Sequence, residues 1–310
     1  MELSQSKDIV LITGVGGFIA SQVANRFIAE GFHVVGVDDF SGGKRENIPS
    51  GLAFIEGDLT EKKTIEKLPK SCGLILHLAG QSSGEMSFDD PILDLNKNSV
   101  TTLNLINYGI NCGAKKILYA SSVSIYDSVG DRPLAENDLT NPSSCYGVSK
   151  LAAEGYLHIY SNQLPYINMR MFNVYGPGQD LDNLRQGMVS IYVAQAVQGV
   201  TIHVKGSLDR FRDYIYIDDV VEAWYRASLS GDLKNINLNI GTGVKTTVRQ
   251  LLELIKNEFS NVKWYIDGFT QGDQFGHYAN NSLMKEKLHI DKFTPLPYGI
   301  KKFSKWASSV

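Results

Sequence analysis

The 310-residue sequence has only three cysteines, Cys72, Cys112 and Cys145, and none belongs to a Cys-x-x-Cys pair. An odd number of widely spaced thiols argues against a disulfide framework and predicts reduced cysteines in a cytoplasmic protein. No apolar run approaches the roughly 20 residues that span a bilayer, and the polar first eight residues do not resemble a secretory signal. With 30 Lys and Arg against 33 Asp and Glu, the basic excess typical of nucleic-acid binding is absent. We therefore expect a globular protein without a membrane or nucleic-acid partner.

What the first half of the sequence does contain is a regular alternation of short apolar runs and helical patterns. Runs that predict strands occur at residues 9–13, 33–37, 53–55, 74–78, 117–120 and 167–172, and helical spacing is clearest at 21–30, 93–111 and 144–160. Such alternation is typical of βαβ units around a buried parallel sheet. The sequence therefore predicts an α/β fold of the doubly wound, Rossmann type.

A glycine-rich segment joins the first predicted strand to the first predicted helix. Gly14, Gly17 and Ala20 give a Gly-x-x-Gly-x-x-Ala spacing, which permits a tight turn and lets backbone N–H groups approach a pyrophosphate at a helix N-terminus. Asp38 ends the second strand, where a carboxylate accepts hydrogen bonds from an adenosine ribose and repels a 2′-phosphate. The pattern favours NAD over NADP, and the alternative is a simple tight turn with a surface acid.

The pattern becomes less regular after the sixth strand. Residues 1–176 are predicted to form the dinucleotide-binding domain, with a return segment near 208–232. Residues 177–310 are predicted to form a smaller mixed α/β lobe that binds the substrate, and within it 246–259 form an amphipathic helix with a threonine N-cap.

Two strand ends carry a residue with two possible roles. Asp58, after the third strand, is placed either to reach an adenine amino group or to cap a helix. His77 ends the fourth strand at the edge where ligands bind in open α/β sheets. Because the strand around it is apolar, we expect His77 to be a hydrogen-bonded core histidine rather than a base.

A Tyr-x-x-x-Lys motif gives the clearest indication of chemistry. Tyr146 and Lys150 are four residues apart and so lie on one helix face, while Ser122 ends the fifth strand. An ammonium group beside a phenol, together with a cationic nicotinamide, is expected to lower the tyrosine pKa. Tyr146 could then take a proton from a sugar hydroxyl that Ser122 positions, while a hydride leaves the same carbon. The alternative is an ordinary Tyr/Lys pair on a solvated helix face.

From Ile9 to about Tyr298 the sequence resembles the extended short-chain dehydrogenase/reductase family, and within it the nucleotide-sugar epimerases. The segments that carry the resemblance are TGVGGFIAS (13–21), VDDFSGGKREN (37–47), GDL (57–59), HLAG (77–80), YASSVSIYD (119–127), YGVSK (146–150), RMFNVYGPGQ (170–179) and RDYIYIDDV (212–220). The resemblance implies an NAD-dependent, dimeric enzyme that acts on a nucleotide-diphospho-sugar, with polysaccharide biosynthesis as its setting.

The resemblance also implies which residues form the site, and it implies no metal. Catalysis falls to the residues matching Ser122, Tyr146 and Lys150. NAD is bound by the residues matching Gly14, Gly17, Phe18, Ile19, Asp38, Asp39, Asp58, Leu59, Ala79, Asn98, Tyr146 and Lys150. The substrate is contacted by the residues matching Ser83, Ser122, Ser124, Asn173, Val189, Arg212 and Asp273. Without the resemblance, Arg212 and Asp213 would be interpreted only as a surface ion pair.

The residues after Ser122 favour one reaction within the family. Related 4,6-dehydratases and decarboxylases carry acidic residues there, whereas Val123 and Ser124 are neutral. This implies epimerisation at C4 of UDP-glucose or UDP-N-acetylglucosamine, by oxidation to a 4-keto sugar and re-reduction on the other face. Two alternatives stay open. One is another sugar-nucleotide enzyme of the same family, a C2 epimerase, dehydratase or reductase, with CDP- and GDP-sugars among its candidate substrates; the other is a non-catalytic NAD-binding regulator.

Two further expectations concern the nucleotide and the assembly. Where the family pattern is Arg-x-Gly-Asp, whose arginine helps to hold the diphosphate, this chain has Thr270-Gln-Gly-Asp273, and Thr270 supplies no charge. Relatives dimerise through two helices per subunit, which here correspond to residues 93–111 and 144–160. The candidate contact residues are Leu95, Leu103, Ile106, Ile110, Leu151, Tyr156 and Ile159.

Overall fold

The computed structural model describes residues 9–127 and 130–310. The first eight residues, whose polar character argues against a secretory signal, lie outside this range. The strands are β1 Ile9–Thr13, β2 His33–Asp38, β3 Ala53–Glu56, β4 Leu74–His77, β5 Lys116–Ser122, β6 Tyr166–Met171, β7 Asn173–Tyr175, β8 Ile202–Val204, β9 Phe211–Arg212, β10 Tyr214–Tyr216, β11 Ile236–Ile240, β12 Thr246–Thr247 and β13 Trp264–Ile266. The helices are α1 Phe18–Ala29, α2 Lys62–Ile65, α3 Pro91–Leu95, α4 Thr101–Cys112, α5 Cys145–Ile159, α6 Met188–Val197, α7 Ile217–Leu229, α8 Val248–Glu258, α9 Ser282–Leu288 and α10 Leu296–Ala307.

Seven parallel strands form the large sheet, in the order β3-β2-β1-β4-β5-β6-β11. The order runs outward in both directions from β1, which is the doubly wound topology that the sequence predicts. Thr13 at the end of β1 lies in register with Val37 of β2 and His77 of β4. The carboxyl ends of the central strands therefore meet at one edge, where ligands bind in such sheets.

Both faces of the sheet are covered because its strands are apolar on both sides. On one face Ile12 belongs to a buried cluster with Phe27 of α1 and Trp224 of α7. On the other face the neighbouring Leu11 packs in a cluster with residues of α4 and α5, including Leu105 and Leu157. Helices on both sides thus fix the sheet rigidly below its carboxyl edge.

The predicted helix over residues 93–111 is divided into three parts. The α-helix α3 is followed by a π-helical turn, Asn96–Val100, and then by α4. A π-helical turn rotates the residues around it relative to a regular helix, and such turns are frequent at functional sites. This turn carries Lys97 and Asn98, which both lie near the carboxyl edge of the sheet.

A second core lies in the later part of the chain. It joins residues of α6, α8 and α10 with the short strands β8 and β10. The amphipathic pattern at 246–259 forms α8, and Thr247 is its N-cap in a reciprocal capping box with Gln250. The large sheet also includes Ile236–Ile240, which lies beyond the expected return segment near 208–232, so the chain crosses between the two cores more than once.

Candidate active site

The glycine-rich segment forms a tight loop between β1 and α1. Gly14 has a φ of 73°, and a Cβ there would lie 2.8 Å from the backbone of Ala79. No side chain caps the N-terminus of α1, so its first N–H groups remain available at the wall of a cavity of about 600 Å³. Free N–H groups at a helix N-terminus favour an anionic group such as a pyrophosphate. The loop therefore fits the cofactor that its spacing predicts.

Asp38 lies directly below this loop. Its carboxylate is buried and accepts hydrogen bonds from the backbone N–H groups of Gly16, at 2.8 Å, and Phe40, at 2.7 Å. Burial raises the pKa of Asp38 above its ordinary value, and the hydrogen bonds from the two N–H donors offset this rise only in part. The two donors hold the carboxylate in one orientation at the cavity wall, where it can accept further hydrogen bonds from ribose hydroxyls.

We expect Asp38→Asn to reduce the preference for NAD over NADP by about tenfold or more. The amide keeps the size of the carboxylate but removes the charge that repels a 2′-phosphate. Calorimetric titration with both cofactors measures the ratio of the two Kd values. Asp39→Asn, which removes a charge that is ion-paired with Lys97, is the matched control and should change the ratio less. An unchanged ratio in Asp38→Asn would contradict this role.

Lys97 is a component of the site that the sequence analysis missed. Its ammonium group forms ion pairs with Asp39 and, at 2.8 Å, with Asp58. Burial raises the pKa of both carboxyl groups, but the hydrogen bonds from Lys97 and from neighbouring residues outweigh it, so both pKa values are lowered. Asp58 also accepts hydrogen bonds from the N–H and the hydroxyl of Thr60. Two acidic residues that follow successive strands, Asp39 and Asp58, indicate a nearby cation in the sequence. The sequence does not show which cation it is, because Lys97 lies in the π-helical turn.

Ser122, Tyr146 and Lys150 come together at the carboxyl edge of the sheet. Ser122 ends β5, and Tyr146 and Lys150 lie in the first two turns of α5. The ammonium group of Lys150 is buried and donates a hydrogen bond to the carbonyl oxygen of Ala120 at 2.9 Å. It lies 5.6 Å from the centre of the Tyr146 ring.

In the chain without ligands, the pKa of Tyr146 is raised rather than lowered. Burial raises the pKa of Tyr146 to about 12, and a hydrogen bond with Ser122 lowers it only in part. Burial also lowers the pKa of Lys150 to about 8, opposed by the charge of Asp94. The expectation of a lowered tyrosine pKa concerns Lys150 together with a bound nicotinamide; in the chain without ligands, desolvation of the phenolate raises the pKa of Tyr146 instead.

A buried polar network lies behind Lys150. The hydroxyl of Ser149 donates to Asp94 at 2.6 Å, and the side-chain amide of Asn98 donates to the same hydroxyl at 3.0 Å. The amide oxygen of Asn98 has no partner within the described residues, and a Cβ on Gly80 would lie 2.4 Å from it. Asn98 is completely buried, so it supports the cavity wall from behind.

A second cavity, of about 540 Å³, adjoins the first, and Tyr146 lines both of them. The side chains predicted to bind the substrate all line it; they are Ser83, Ser122, Ser124, Asn173, Val189, Arg212 and Asp273. Of the residues predicted to bind NAD, all but Asn98 line the first cavity. The residues chosen from separate sequence motifs thus converge on two connected cavities.

Arg212 and Asp213 do not form the surface ion pair that was the alternative. Arg212 is buried and pairs with Asp273, while Asp213 is buried and accepts hydrogen bonds from Thr242 and Gly243. Asn173 donates to His277 at 3.1 Å and to the carbonyl of Asp213 at 3.2 Å. Asn173 is thereby fixed at the wall of the second cavity.

His77 has the core role that was predicted. It is completely buried, and its two ring nitrogens contact the hydroxyls of Thr13 at 2.9 Å and Thr102 at 3.0 Å. Burial, assisted by the charge of Lys150, lowers the pKa of His77 to about 3. The three cysteines are free thiols.

Within residues 9–127 and 130–310, no helix is both long and apolar enough to cross a membrane. Within the same ranges, no three His, Cys, Asp or Glu side chains form a group that could hold a metal ion.

A doubly wound sheet, a glycine loop above Asp38 and a Ser/Tyr/Lys set between two cavities define an NAD-dependent enzyme of the extended short-chain dehydrogenase/reductase class. A sequence model of the NAD dependent epimerase/dehydratase family matches residues 10–241. The chain therefore belongs to the NAD-dependent epimerase/dehydratase family, and it is an enzyme of the epimerase class that uses NAD.

Named relatives agree with this assignment. The chain is 36% identical over 252 residues to a UDP-glucose 4-epimerase from Mycolicibacterium smegmatis, covering 78% of this chain and 79% of the relative. It is similar to the crystal structure of a UDP-glucose 4-epimerase with UDP-glucose from Thermotoga maritima, with a TM-score of 0.91, 32% identity and coverage of 96% and 98%. A Thermus thermophilus UDP-glucose 4-epimerase in complex with NAD gives a TM-score of 0.89 with 29% identity and the same coverage.

Proposed function

We propose that this enzyme is a UDP-sugar 4-epimerase that inverts C4 of UDP-glucose or UDP-N-acetylglucosamine. The observation that carries the proposal is the position of Tyr146, which lines both the cavity below the glycine loop and the second, cation-rich cavity. A sugar in the second cavity would bring its reacting hydroxyl to this phenol. The names of the relatives support UDP-glucose as the first substrate to test.

In this proposal Ser122, Tyr146 and Lys150 have separate catalytic roles. Ser122 hydrogen-bonds the C4 oxygen and orients it, and Tyr146 removes its proton and later returns it. Lys150 stabilises the phenolate that forms. NAD, when bound, supplies the hydride acceptor and a positive charge beside the phenol, which offsets the burial that keeps Tyr146 protonated in the chain alone.

The cofactor site in this proposal comprises the residues at the first cavity. Gly14, Gly17, Phe18 and Ile19 bind the pyrophosphate at the N-terminus of α1. Asp38 would hold the adenosine ribose, and the segment around Ala79, which lines the same cavity, would contact the nicotinamide half. Asp39, Asp58, Leu59 and Lys97 form the wall at the adenine end, and Asn98 supports the site from behind.

The carboxylates at the second cavity favour epimerisation over dehydration. Among the described residues that line it, the carboxylates are Glu85 and Asp273. Glu85 pairs with Lys205 at 3.1 Å, and Asp273 pairs with two arginines. A dehydratase needs a free acid or base that acts at C5, whereas epimerisation at C4 needs only Tyr146, assisted by Ser122 and Lys150.

The test is to incubate the NAD-loaded enzyme with UDP-glucose and, separately, with UDP-N-acetylglucosamine, and to separate the products by chromatography. The proposal expects the 4-epimer of at least one substrate, with no net production of NADH. Net consumption of NAD(P)H, or a stable 4-keto product, would instead select a reductase or a dehydratase. No conversion of either UDP-sugar, with conversion of a CDP- or GDP-sugar, would refute the UDP assignment.

We also propose that the enzyme is a cytoplasmic homodimer whose subunits meet through α3–α4 and α5. Apolar side chains are exposed on these helices, among them Leu95, 43% exposed, Tyr156, 39%, and Ile159, 73%. Exposed apolar residues on adjacent helices can pair across a two-fold axis into a four-helix bundle. Ile106, one of the predicted contacts, is instead completely buried against the sheet of its own subunit, because its side of α4 faces the core.

We expect Ile159→Glu to convert the dimer into a monomer at micromolar concentration. The two-fold axis places the substitution twice in the interface, so two carboxylates are buried without partners. Sedimentation velocity measures the change. Val244→Glu, which adds the same charge at an exposed apolar position outside these helices, is the control and should leave a dimer. A wild-type monomer, or an Ile159→Glu dimer of unchanged stability, would contradict the proposed interface.

A further inference from the structure

The turn that contains Thr270 lies in the wall of the second cavity. The N–H of Asp273 donates to the carbonyl oxygen of Thr270 at 3.2 Å, which closes the turn. Gly272 has a φ of 73°, and its carbonyl oxygen accepts a hydrogen bond from Ser143 at 2.8 Å. The turn is therefore fixed in place, and Thr270 lines the cavity without bringing a charge to it.

A different residue brings a positive charge to the same turn. Arg210 is buried, lines the cavity and contacts one carboxylate oxygen of Asp273, while Arg212 contacts the other. Arg210 is also held by the carbonyl oxygens of Ser207, at 3.2 Å, and Lys205. One carboxylate therefore orients two guanidinium groups and cancels the charge of only one of them.

The two arginines differ in how many N–H groups remain for a ligand. Arg212 donates to three backbone carbonyls, those of Phe211 at 2.7 Å, Gln274 at 2.9 Å and Phe275 at 3.2 Å, in addition to Asp273. Arg210 donates to two backbone carbonyls and Asp273. Within the described chain, Arg210 thus keeps more N–H groups without a protein acceptor than Arg212 does.

The charges around the cavity favour an anionic ligand such as a diphosphate. Four cationic side chains line it, Arg185, Lys205, Arg210 and Arg212, against two carboxylates, Glu85 and Asp273. A diphosphate that joins a nucleoside to a sugar carries one negative charge on each phosphate group. Arg185 also pairs with Asp89 at 2.6 Å, and Lys205 pairs with Glu85 at 3.1 Å. Arg210 and Arg212 share the single carboxylate of Asp273, so they carry one positive charge in excess, and without Arg210 none would remain.

We propose that Arg210 binds the substrate diphosphate and supplies the charge that Thr270 lacks. The inference rests on the proposed function, since it requires a nucleotide-diphospho-sugar in the second cavity. A guanidinium suits this role because its N–H groups form paired, charge-assisted hydrogen bonds to phosphate oxygens. Arg210 and Arg212 would then hold the diphosphate from one side while the sugar reaches Tyr146.

The test compares UDP with uridine as ligands of the NAD-loaded enzyme, by isothermal titration calorimetry. For Arg210→Met we expect UDP to bind about tenfold to a hundredfold more weakly, because hydrogen bonds between charged groups are lost. Uridine has no phosphate, so its affinity should stay the same. Adding Thr270→Arg to the Arg210→Met variant should restore most of the UDP affinity. Arg249→Met, which removes an exposed arginine outside the cavity, is the matched control with wild-type affinity.

The outcomes separate this inference from the proposed function. If Arg210→Met binds UDP within about threefold of the wild type, or loses uridine affinity to the same extent, Arg210 only supports the turn and the inference is overturned. If Arg210→Met does not fold, Arg210→Gln keeps a polar side chain with N–H donors but removes the charge, and unchanged UDP affinity in that variant also overturns it. If the wild-type enzyme binds NAD but neither UDP nor UDP-glucose, it is the proposed function that fails.

Discussion

Replacing Tyr146 with phenylalanine is expected to lower kcat for the epimerisation of UDP-glucose by about 10²- to 10⁴-fold. The variant keeps the ring that lines both cavities but loses the hydroxyl that moves the proton. The ammonium group of Lys150, which donates to the carbonyl oxygen of Ala120, cannot replace the phenol as a base, because a protonated amine has no lone pair to accept a proton. Binding of NAD and UDP should change little, so the loss appears in kcat rather than in KM. A coupled assay for UDP-galactose measures the rate, and thermal unfolding confirms that the variant is folded.

Tyr119→Phe is the matched control for this substitution. Its ring centre lies 4.9 Å from the same Lys150 ammonium group, but Tyr119 is completely buried within β5 and lines neither cavity. Removing this hydroxyl should change kcat far less than removing that of Tyr146. A Tyr146→Phe enzyme that works within about threefold of the wild-type rate would remove Tyr146 from the mechanism.

Replacing Arg170 with methionine is expected to lower the free energy of unfolding by about 3–5 kcal/mol. Arg170 forms a two-pronged ion pair with Glu154, at 2.9 and 2.6 Å, and both side chains are buried in the interior. Arg170 also donates to the hydroxyl of Tyr126 and to the carbonyl oxygen of Glu136, each at 2.8 Å. Among the residues that the structure describes, the substitution leaves the buried Glu154 carboxylate with only the hydroxyl of Ser121 as a hydrogen-bond donor. Urea denaturation followed by circular dichroism measures the loss.

Two variants show whether the loss comes from the buried charge. Adding Glu154→Met to Arg170→Met removes the unpaired carboxylate and should recover much of the stability. Arg132→Met breaks an exposed two-pronged pair with Asp138, which solvent screens, and should lower the stability far less than Arg170→Met does. A double variant no more stable than Arg170→Met would show that lost packing, and not the buried charge, causes the effect.

The sequence predicts the sheet and much of the site because both depend on local patterns. Each apolar run became a strand; the central ones are buried on both faces and so must be apolar throughout, whereas β3 at the edge of the sheet is only partly buried. Gly14, Asp38 and Ser122 follow directly from their positions at strand ends, and parallel strands bring those ends to one edge. The one-turn spacing of Tyr146 and Lys150 needs only helix geometry.

The sequence could not predict features that depend on contacts between distant segments. Lys97 reaches Asp39 and Asp58 because a π-helical turn lies in a helix that the pattern shows as regular. Arg210 contacts Asp273, which lies 63 residues further along the chain. The sequence therefore shows that Thr270 lacks a charge, but it does not show that Arg210 lies close enough to supply one. The pKa of Tyr146 depends on how deeply the phenol is buried, which the spacing to Lys150 does not show.

In the proposed mechanism the enzyme inverts C4 by oxidising it and reducing it again within one site. The most direct test uses UDP-glucose carrying deuterium at C4, converted by the NAD-loaded enzyme in ordinary water, with the product examined by NMR and mass spectrometry. The proposed mechanism predicts UDP-galactose that retains the deuterium at C4, because the deuteride removed from one face of C4 is returned to the other face without exchange with water. Product in which a solvent proton has replaced the deuterium at C4 would contradict it.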